Sequence, residues 1–367
     1  MKKIMKILQI NSYPIEPIND FITRGGAYKM HNLYAFDKIS QEYTVTWVPS
    51  EDVYKKSNKN FILKKIGIRN WVQLRYLKEY NNYDLIYIGH DIHLLPLAFF
   101  KAIGIIKTPV LYQCHFFYNM QFVSKWYIKL LKRVERYFVF KYFEQVVFAN
   151  DVTLAMAMKD YNIPEKHHIP VFWGANISFF DEIKNKVQSL IDQEPFYAAM
   201  GNANRDYVTL VDSFKNLNVK LKIFAKKPKS ITEVPSNVEF IDLSDEGING
   251  MAILRKYYLT ARAVLLPIKS VNDVPNGATV LIEALAAGCP IVITDYETNY
   301  IDVEKENVGL KVYTNTVDSW KNAINFIENN SNKVLEWKIN ARKLADDKYN
   351  YQNFIKNIIN VIDGFRK

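Results

Sequence analysis

Two cysteines in 367 residues, Cys114 and Cys289, are too few for a disulfide framework, and neither stands in a metal-ligand spacing. No run is apolar for long enough to cross a bilayer, since the longest, 92–106, is broken by His93, Pro96 and Lys101. The opening MKKIMKILQINSYP lacks the apolar core and small-residue cleavage site of a signal peptide. The expectation is a reduced, cytoplasmic protein. No G-x-G-x-x-G follows the first apolar run, which disfavours a dinucleotide oxidoreductase. No Asp-x-Asp stands after an apolar strand, so no required metal is expected. Nucleic acid is not expected as a partner, because no helix-turn-helix, zinc-finger or aromatic RNA-binding signature is present.

What is present is enough apolar material, 49% of the residues, for two full cores. Short apolar runs read as strands: 4–10, 43–48, 85–88, 110–113 and 145–148. They alternate with helical patterns such as 27–36 and 125–143, the rhythm of a parallel sheet flanked by helices. After a charged, less regular stretch the rhythm restarts, with strands at 197–200, 220–225, 238–241, 263–266 and 291–294 and helices near 207–216 and 250–260. Residues 351–365 read as a closing helix. The expected organisation is α/β with two doubly wound domains facing a central cleft: residues 1–180, a linker at 181–194, a second domain at 195–350, and a helix at 351–367 packing back on the first domain.

The net charge of +10 falls entirely in residues 1–180, which hold 24 Lys and Arg against 14 Asp and Glu. Part of it is concentrated in KWYIKLLKRVERYFVFK, Lys125 to Lys141, where bases alternate with Trp126, Tyr127, Tyr137, Phe138 and Phe140. Such a segment suits an anionic membrane surface. It equally fits an amphipathic helix with core aromatics and solvated bases.

PNGATVLIEALAAGCPIVITD, residues 275–295, places one carboxylate in a helix that is apolar on nearly every face and therefore buried. Gly277 starts that helix and Gly288 ends it. Glu283 needs a partner there. Thr279 shares its face, and the free amides of Ala278 and Thr279 at the helix start favour an anion. A phosphate on those amides with a sugar hydroxyl on Glu283 makes a nucleotide-shaped site, while a purely structural carboxylate is the alternative. In doubly wound sheets ligands bind beyond the carboxyl ends of the strands. The loops there carry Arg24-Gly25-Gly26, His90 and Asp91, His115, GNANRDY (201–207) with Arg205, Lys226, and PIKSVNDVPNG (267–277).

Together these segments resemble the GT-B fold glycosyltransferases, and among them the retaining enzymes of glycosyltransferase family 4. Residues 275–295 are similar to that family's donor-binding helix and following strand. GNANRDYVTLVDSF resembles the loop opening its second domain, RGGAYKMHNL its first-domain glycine loop, and VFWGANISFF the end of its first domain. The resemblance implies an enzyme that transfers a sugar, with retention, from a nucleotide diphosphate donor to a hydroxyl of a glycan or lipid-linked oligosaccharide in bacterial surface polysaccharide synthesis. A UDP-sugar is the first choice of donor and a GDP-sugar the second. It places Arg205 and the amides of Gly277, Ala278 and Thr279 at the diphosphate, with Lys226 adding charge, Glu283 at the ribose, and Gly26 in a loop approaching the ligand. His115 would sit beside the reacting sugar, and the leaving phosphate oxygen would take the acceptor's proton. Core packing for His115 and a salt bridge to Asp206 or Asp212 for Arg205 are the competing roles. The family's second Glu, eight residues before Glu283, is Pro275 here, with Asp273 close enough in sequence to stand in. A sugar-nucleotide epimerase of the same fold and a catalytically silent glycan- or lipid-binding partner are the other readings. A basic first domain fits an acceptor on the inner face of the membrane, with the enzyme bound peripherally.

Overall fold

The computed structural model describes residues 4–11, 15–48, 74, 76–90, 94–115, 126–187, 195–269, 277–296 and 299–366. The chain divides into two compact units. One comprises Met1–Gly25, Met30–Trp173 and Asn353–Lys367, the other Gly26–Lys29 and Gly174–Gln352.

The first unit is built on six parallel strands: β1 (Lys6–Ile10), β2 (Thr44–Trp47), β3 (Leu85–Ile88), β4 (Val110–Cys114), β5 (Gln145–Phe148) and β6 (Ile169–Pro170). Their order is β2-β1-β3-β4-β5-β6, so the winding reverses between β1 and β3. β3 and β4 are buried at every position, as strands covered on both faces by helices must be. The two glutamines inside these strands each donate an amide, Gln9 Nε2 to the Leu33 carbonyl (3.3 Å) and Gln113 Nε2 to that of Val171 (3.2 Å), while their Oε1 atoms have no partner among the described residues.

The second unit carries β7 (Phe196–Met200), β8 (Lys220–Phe224), β9 (Val238–Phe240), β10 (Val264–Leu266), β11 (Ile291–Thr294) and β12 (Gly309–Val312), all parallel, in the order β12-β11-β10-β7-β8-β9. Here the winding reverses between β7 and β10. Helices Tyr207–Phe214 and Val317–Asn329 pack together over its core, with Trp320 fully buried among Tyr197, Phe214 and Ile223. Among the described residues no helix is long and apolar enough to cross a membrane.

Two local expectations change. In place of a helix over 27–36, a short 3-10 turn at Met30–Leu33 gives way to left-handed Tyr34 (φ 51°) and Ala35 (φ 65°), and the helix runs Phe36–Glu42. Tertiary partners override the periodicity: Tyr87 Oη donates to the Tyr34 carbonyl (3.3 Å), and Tyr34 stacks on Trp173 with ring centres 5.8 Å apart. The charged stretch after 181 begins as helix Ser178–Val187, which turns Phe179, Phe180 and Val187 inward and its charges outward. Residues 188–194 lie outside the described residues.

Helix Tyr351–Asp363 contributes its residues from 353 onward to the first unit, where Tyr43 Oη donates to Asp363 Oδ1 (2.6 Å) and Phe354, Ile358 and Ile362 are fully buried. Where the chain passes 174 and 349–351 its two runs are hydrogen-bonded, Ala175 N–H to the Tyr349 carbonyl (2.9 Å) and Tyr351 N–H to that of Ala175 (2.8 Å). They approach so closely that a Cβ on Gly174 would stand 2.3 Å from the Tyr349 carbonyl carbon.

His167 ties β5 to helix Trp126–Tyr142, and both its ring nitrogens are committed. Nδ1 accepts from Val146 N–H and Nε2 donates to the Phe140 carbonyl, each at 2.9 Å. Protonating Nδ1 would break the first bond, and burial holds its pKa down to about 4 against 6.5 for a free imidazole. The unfolded chain therefore binds the extra proton first. Stability is intact above about pH 6.5 and falls as pH drops toward about 4, by at most about 1.4 kcal/mol per unit from this residue. Urea unfolding at several pH values checks this: His167→Gln should flatten the slope in that window, and an unchanged slope would assign the acid sensitivity elsewhere.

Candidate functional site

The winding of the second sheet reverses at β7 and β10, and the loops after these strands meet. Asp206 N–H donates to the Pro267 carbonyl (2.7 Å) and Lys269 N–H to that of Asn204 (3.1 Å), with Arg205 bridged to Ile268. This clamp fixes the backbone of Arg205. Among the described residues its guanidinium is held by carbonyls, Nε on Met200 (3.2 Å) and Nη1 on Ala203 (2.8 Å). Nη2 points at two glycines, since a Cβ on either Gly201 or Gly277 would lie 3.2 Å from it. Both have positive φ, 96° and 81°. Any side chain at either position would be strained and would crowd the guanidinium.

Among the described residues no carboxylate engages Arg205. Asp206 instead caps helix Tyr207–Phe214, accepting from Thr209 N–H (3.2 Å), Thr209 Oγ1 (2.8 Å) and Asn315 Nδ2 (2.8 Å), while Asp212 pairs with Lys215 (2.8 Å). The salt bridge that competes with a ligand-binding role does not form. Burial lowers the guanidinium's pKa, so an anion beside it would relieve a cost already incurred. Gly277 is also the N-cap of helix Ala278–Ala287, and no side chain caps that end. A partly buried, uncompensated guanidinium thus adjoins the uncapped N-terminus of a ten-residue helix, a combination suited to a phosphate. Lys226 is exposed beyond β8, and its N–H donates to Asn202 Oδ1 (3.2 Å), which places it beside the same loop. Asp273 and Pro275 lie outside the described residues.

One turn and a half into that helix, Glu283 is 5% exposed. Lys29 Nζ donates to Oε1 at 2.6 Å and Tyr258 Oη to Oε2 at 2.8 Å. Burial and the neighbouring carboxylate hold the Tyr258 hydroxyl protonated, so it can only donate to Glu283. Tyr258 comes from helix Gly250–Thr260, and Lys29 from Gly26–Lys29, the four residues after Gly25 that belong to the second unit. Neither was legible as a partner. The signal for Lys29 was its place in RGGAYKM; for Tyr258 there was none beyond the need of a buried carboxylate for donors.

Residues 247–344, spanning Tyr258, Gly277 and Glu283, match the family model described as glycosyl transferases group 1. The protein is a glycosyltransferase. No curated protein matches the sequence. Among solved structures, the chain is similar to Anabaena HepE in complex with UDP, at 14% identity and a TM-score of 0.70, over 98% of this chain and 100% of that one. Sucrose-phosphate synthase from Thermosynechococcus elongatus matches at 14% identity and 0.68, over 98% of each chain. WaaG, a glycosyltransferase involved in lipopolysaccharide biosynthesis, matches at 16% and 0.63, over 98% of this chain and 100% of that one. At such identities the likeness is one of fold, and that fold is GT-B.

His115 belongs to the first unit, directly after β4. Its Nε2 lies 3.2 Å from the Gly89 carbonyl, which can only accept, so Nε2 carries the proton and Nδ1 is left as an acceptor. Burial first, then His90, holds its pKa well below 6.5 and keeps it neutral. Around it stand Tyr34, His90 and Trp173, with ring centres 5.1, 5.3 and 5.3 Å away. Asp91 lies outside the described residues.

Removing one member of the buried Lys29–Glu283 pair should be costly, and removing both much less so. Lys29→Met strands a carboxylate and should destabilise by about 3–5 kcal/mol. Lys29→Met with Glu283→Gln should recover most of that loss, because the glutamine is neutral. Urea denaturation of the two single variants and the double variant measures the coupling, and strictly additive losses would mean that the two groups do not act as a pair.

Proposed function

We propose that this glycosyltransferase moves a sugar, with retention at the anomeric carbon, from a nucleoside diphosphate donor to a hydroxyl of a glycan or lipid-linked oligosaccharide. The observation that carries the reading is the Arg205 guanidinium, met by no carboxylate among the described residues and set against Gly277 at the uncapped helix start. As the bond from the anomeric carbon to the diphosphate breaks, negative charge grows on the leaving phosphate. Arg205 and the amides of Gly277, Ala278 and Thr279 stabilise that charge without reorganising. The leaving oxygen takes the acceptor's proton, which supplies the step for which the sequence offers no evident protein base. Glu283, oriented by Lys29 and Tyr258, keeps lone pairs for a ribose hydroxyl. For His115 and Lys226, roles at the sugar and beside the phosphates rest on the motif resemblance, and Gly26 begins the short segment that delivers Lys29.

HepE has been crystallised with UDP, UDP-glucose, and UDP together with glucose, which supports a UDP-sugar as the donor to try first. Retention and a role in bacterial surface polysaccharide synthesis rest on the motif resemblance. Arg205→Ala should lower turnover about thirty-fold to a thousand-fold, or roughly 2–4 kcal/mol of transition-state stabilisation, with melting unchanged. Ahead of any known acceptor, thermal shift reports the donor. UDP or GDP at a hundred times its dissociation constant should add about 2.7 kcal/mol of stability to the wild-type protein, and Arg205→Ala should lose most of it. Equal shifts in both proteins would remove Arg205 from the site.

Helix Trp126–Tyr142 supports peripheral binding at an anionic membrane surface on the cytoplasmic side. Trp126, Tyr127, Leu130, Leu131 and Tyr137 are exposed, Trp126 by 75%, and Lys129, Arg133 and Lys141 are exposed among them. Ordinary core packing leaves such aromatics unexplained. Lys132 and Arg136 play no part, because they are buried, and Lys132 pairs with Glu135 at 3.2 Å. Lys125 lies outside the described residues. Reversing Lys129, Arg133 and Lys141 to Glu should cost roughly 3 kcal/mol of affinity for anionic vesicles. Binding should also weaken with salt, as the screening length falls from about 10 Å at 0.1 M to about 3 Å at 1 M. Co-sedimentation with vesicles measures both, and equal behaviour of wild type and variant would make the acceptor a soluble one.

A further inference from the structure

At the carboxyl edge of the first sheet Asn11 stands out from its neighbours Gln9, Gln113 and Asn150, because among the described residues both polar atoms of its side chain, rather than one, go unsatisfied. Asn11 follows β1, and its Nδ2 and Oδ1 are both buried without a hydrogen-bond partner. Burying an amide unpaired is unfavourable, and an apolar residue of the same size would avoid the cost. Its place is also particular. β1 and β3 pair with Ile10 opposite Ile88, so Asn11 stands level with Gly89, at the point where the winding reverses and where open α/β sheets bind their ligands.

Gly89 joins Asn11 to His115. A Cβ on Gly89 would stand 2.5 Å from Asn11 Oδ1 and 2.8 Å from Tyr34 Cβ, so only glycine leaves the amide its space. The carbonyl of the same glycine holds His115 with Nδ1 as acceptor. The edge therefore presents a donor and an acceptor on Asn11 and an acceptor on His115, from side chains that carry no charge. A hydroxyl both gives and accepts a hydrogen bond, and matches this set where an anion does not.

We propose that Asn11 is a sugar-binding residue, its amide hydrogen-bonded to hydroxyls of a pyranose that also reaches His115. The inference rests on the glycosyltransferase reading and adds a residue outside the diphosphate machinery. The hydroxyls could belong to the transferred sugar or to the acceptor glycan, and two arms of one experiment separate these sources.

Full-length wild-type and Asn11→Leu proteins would be titrated with UDP, UDP-glucose, GDP and GDP-mannose. In parallel, methyl α-glucoside and methyl α-mannoside would be tested by saturation-transfer NMR. Asn11→Leu should keep its melting temperature and its affinity for UDP or GDP, because removing an unpaired amide costs the fold nothing. If the sugar is the donor's, the variant should bind the nucleotide sugar about five- to tenfold more weakly. If it is the acceptor's, the methyl glycoside signal of the wild type should vanish in the variant. Unchanged behaviour in both arms, or a fall in melting temperature with equal losses for nucleotide and nucleotide sugar, would make Asn11 a structural amide and overturn the inference. Wild-type protein that binds no nucleotide yet shows an Asn11-dependent glycoside signal would overturn the donor reading and leave this one standing. No sugar signal from the wild type in either arm would sink the inference.

Discussion

Helix Ala278–Ala287 has Thr279 and Glu283 as its only polar side chains, so the packing that buries it places a carboxylate where water cannot solvate it. The surroundings are arranged around that constraint. An ammonium arrives from residues far earlier in the chain and a phenol from the helix before β10, and together they leave neither carboxylate oxygen bare. Four residues after Gly25 belong to the second unit although those on either side belong to the first, and Lys29 is the one that bonds to Glu283. A helix that is apolar on nearly every face yet carries one buried carboxylate is thus bonded to a segment from far earlier in the chain.

Arg205 presents the opposite case within the same unit. Aspartates stand beside it in sequence, and each is used elsewhere, Asp206 as a helix cap and Asp212 on Lys215. The cation is thereby held in place by carbonyls yet not neutralised. One charge is closed in a pair, and the other meets no carboxylate among the described residues.

The sheet architecture and most strands were legible because central parallel strands are almost pure apolar runs, and VLYQC or IVIT can hardly be anything else. The helix at Ala278–Ala287 was legible from its glycine bounds. Residues 27–36 were misread because Tyr34 and the carbonyls near it answer to Tyr87, Gln9 and Trp173, which no local window contains. For the candidate site, sequence order pointed to Arg205, Gly277 and Glu283, but not to the partners of Glu283 or to the carbonyls that hold Arg205. Two of the five bases of Trp126–Tyr142 turned inward for a similar reason: Lys132 pairs with Glu135 and Arg136 is buried, while alternation alone treats all bases alike.

The placement of residues 353–366 on the first unit bears on the order of folding during synthesis. Helix Tyr351–Asp363 supplies Phe354, Ile358 and Ile362 as buried side chains, and Asp363 closes on Tyr43, yet all of 174–352 leaves the ribosome before them. The unit translated first is thus the one completed last. Its early sheet must wait through some 180 residues of further translation, on the order of ten to forty seconds at ordinary elongation rates, with the apolar surface meant for that helix still uncovered. The second unit needs only Gly26–Lys29 from the earlier chain and can close while the first is still open. A truncation that removes the last helix would therefore injure the half of the protein most distant from it in sequence.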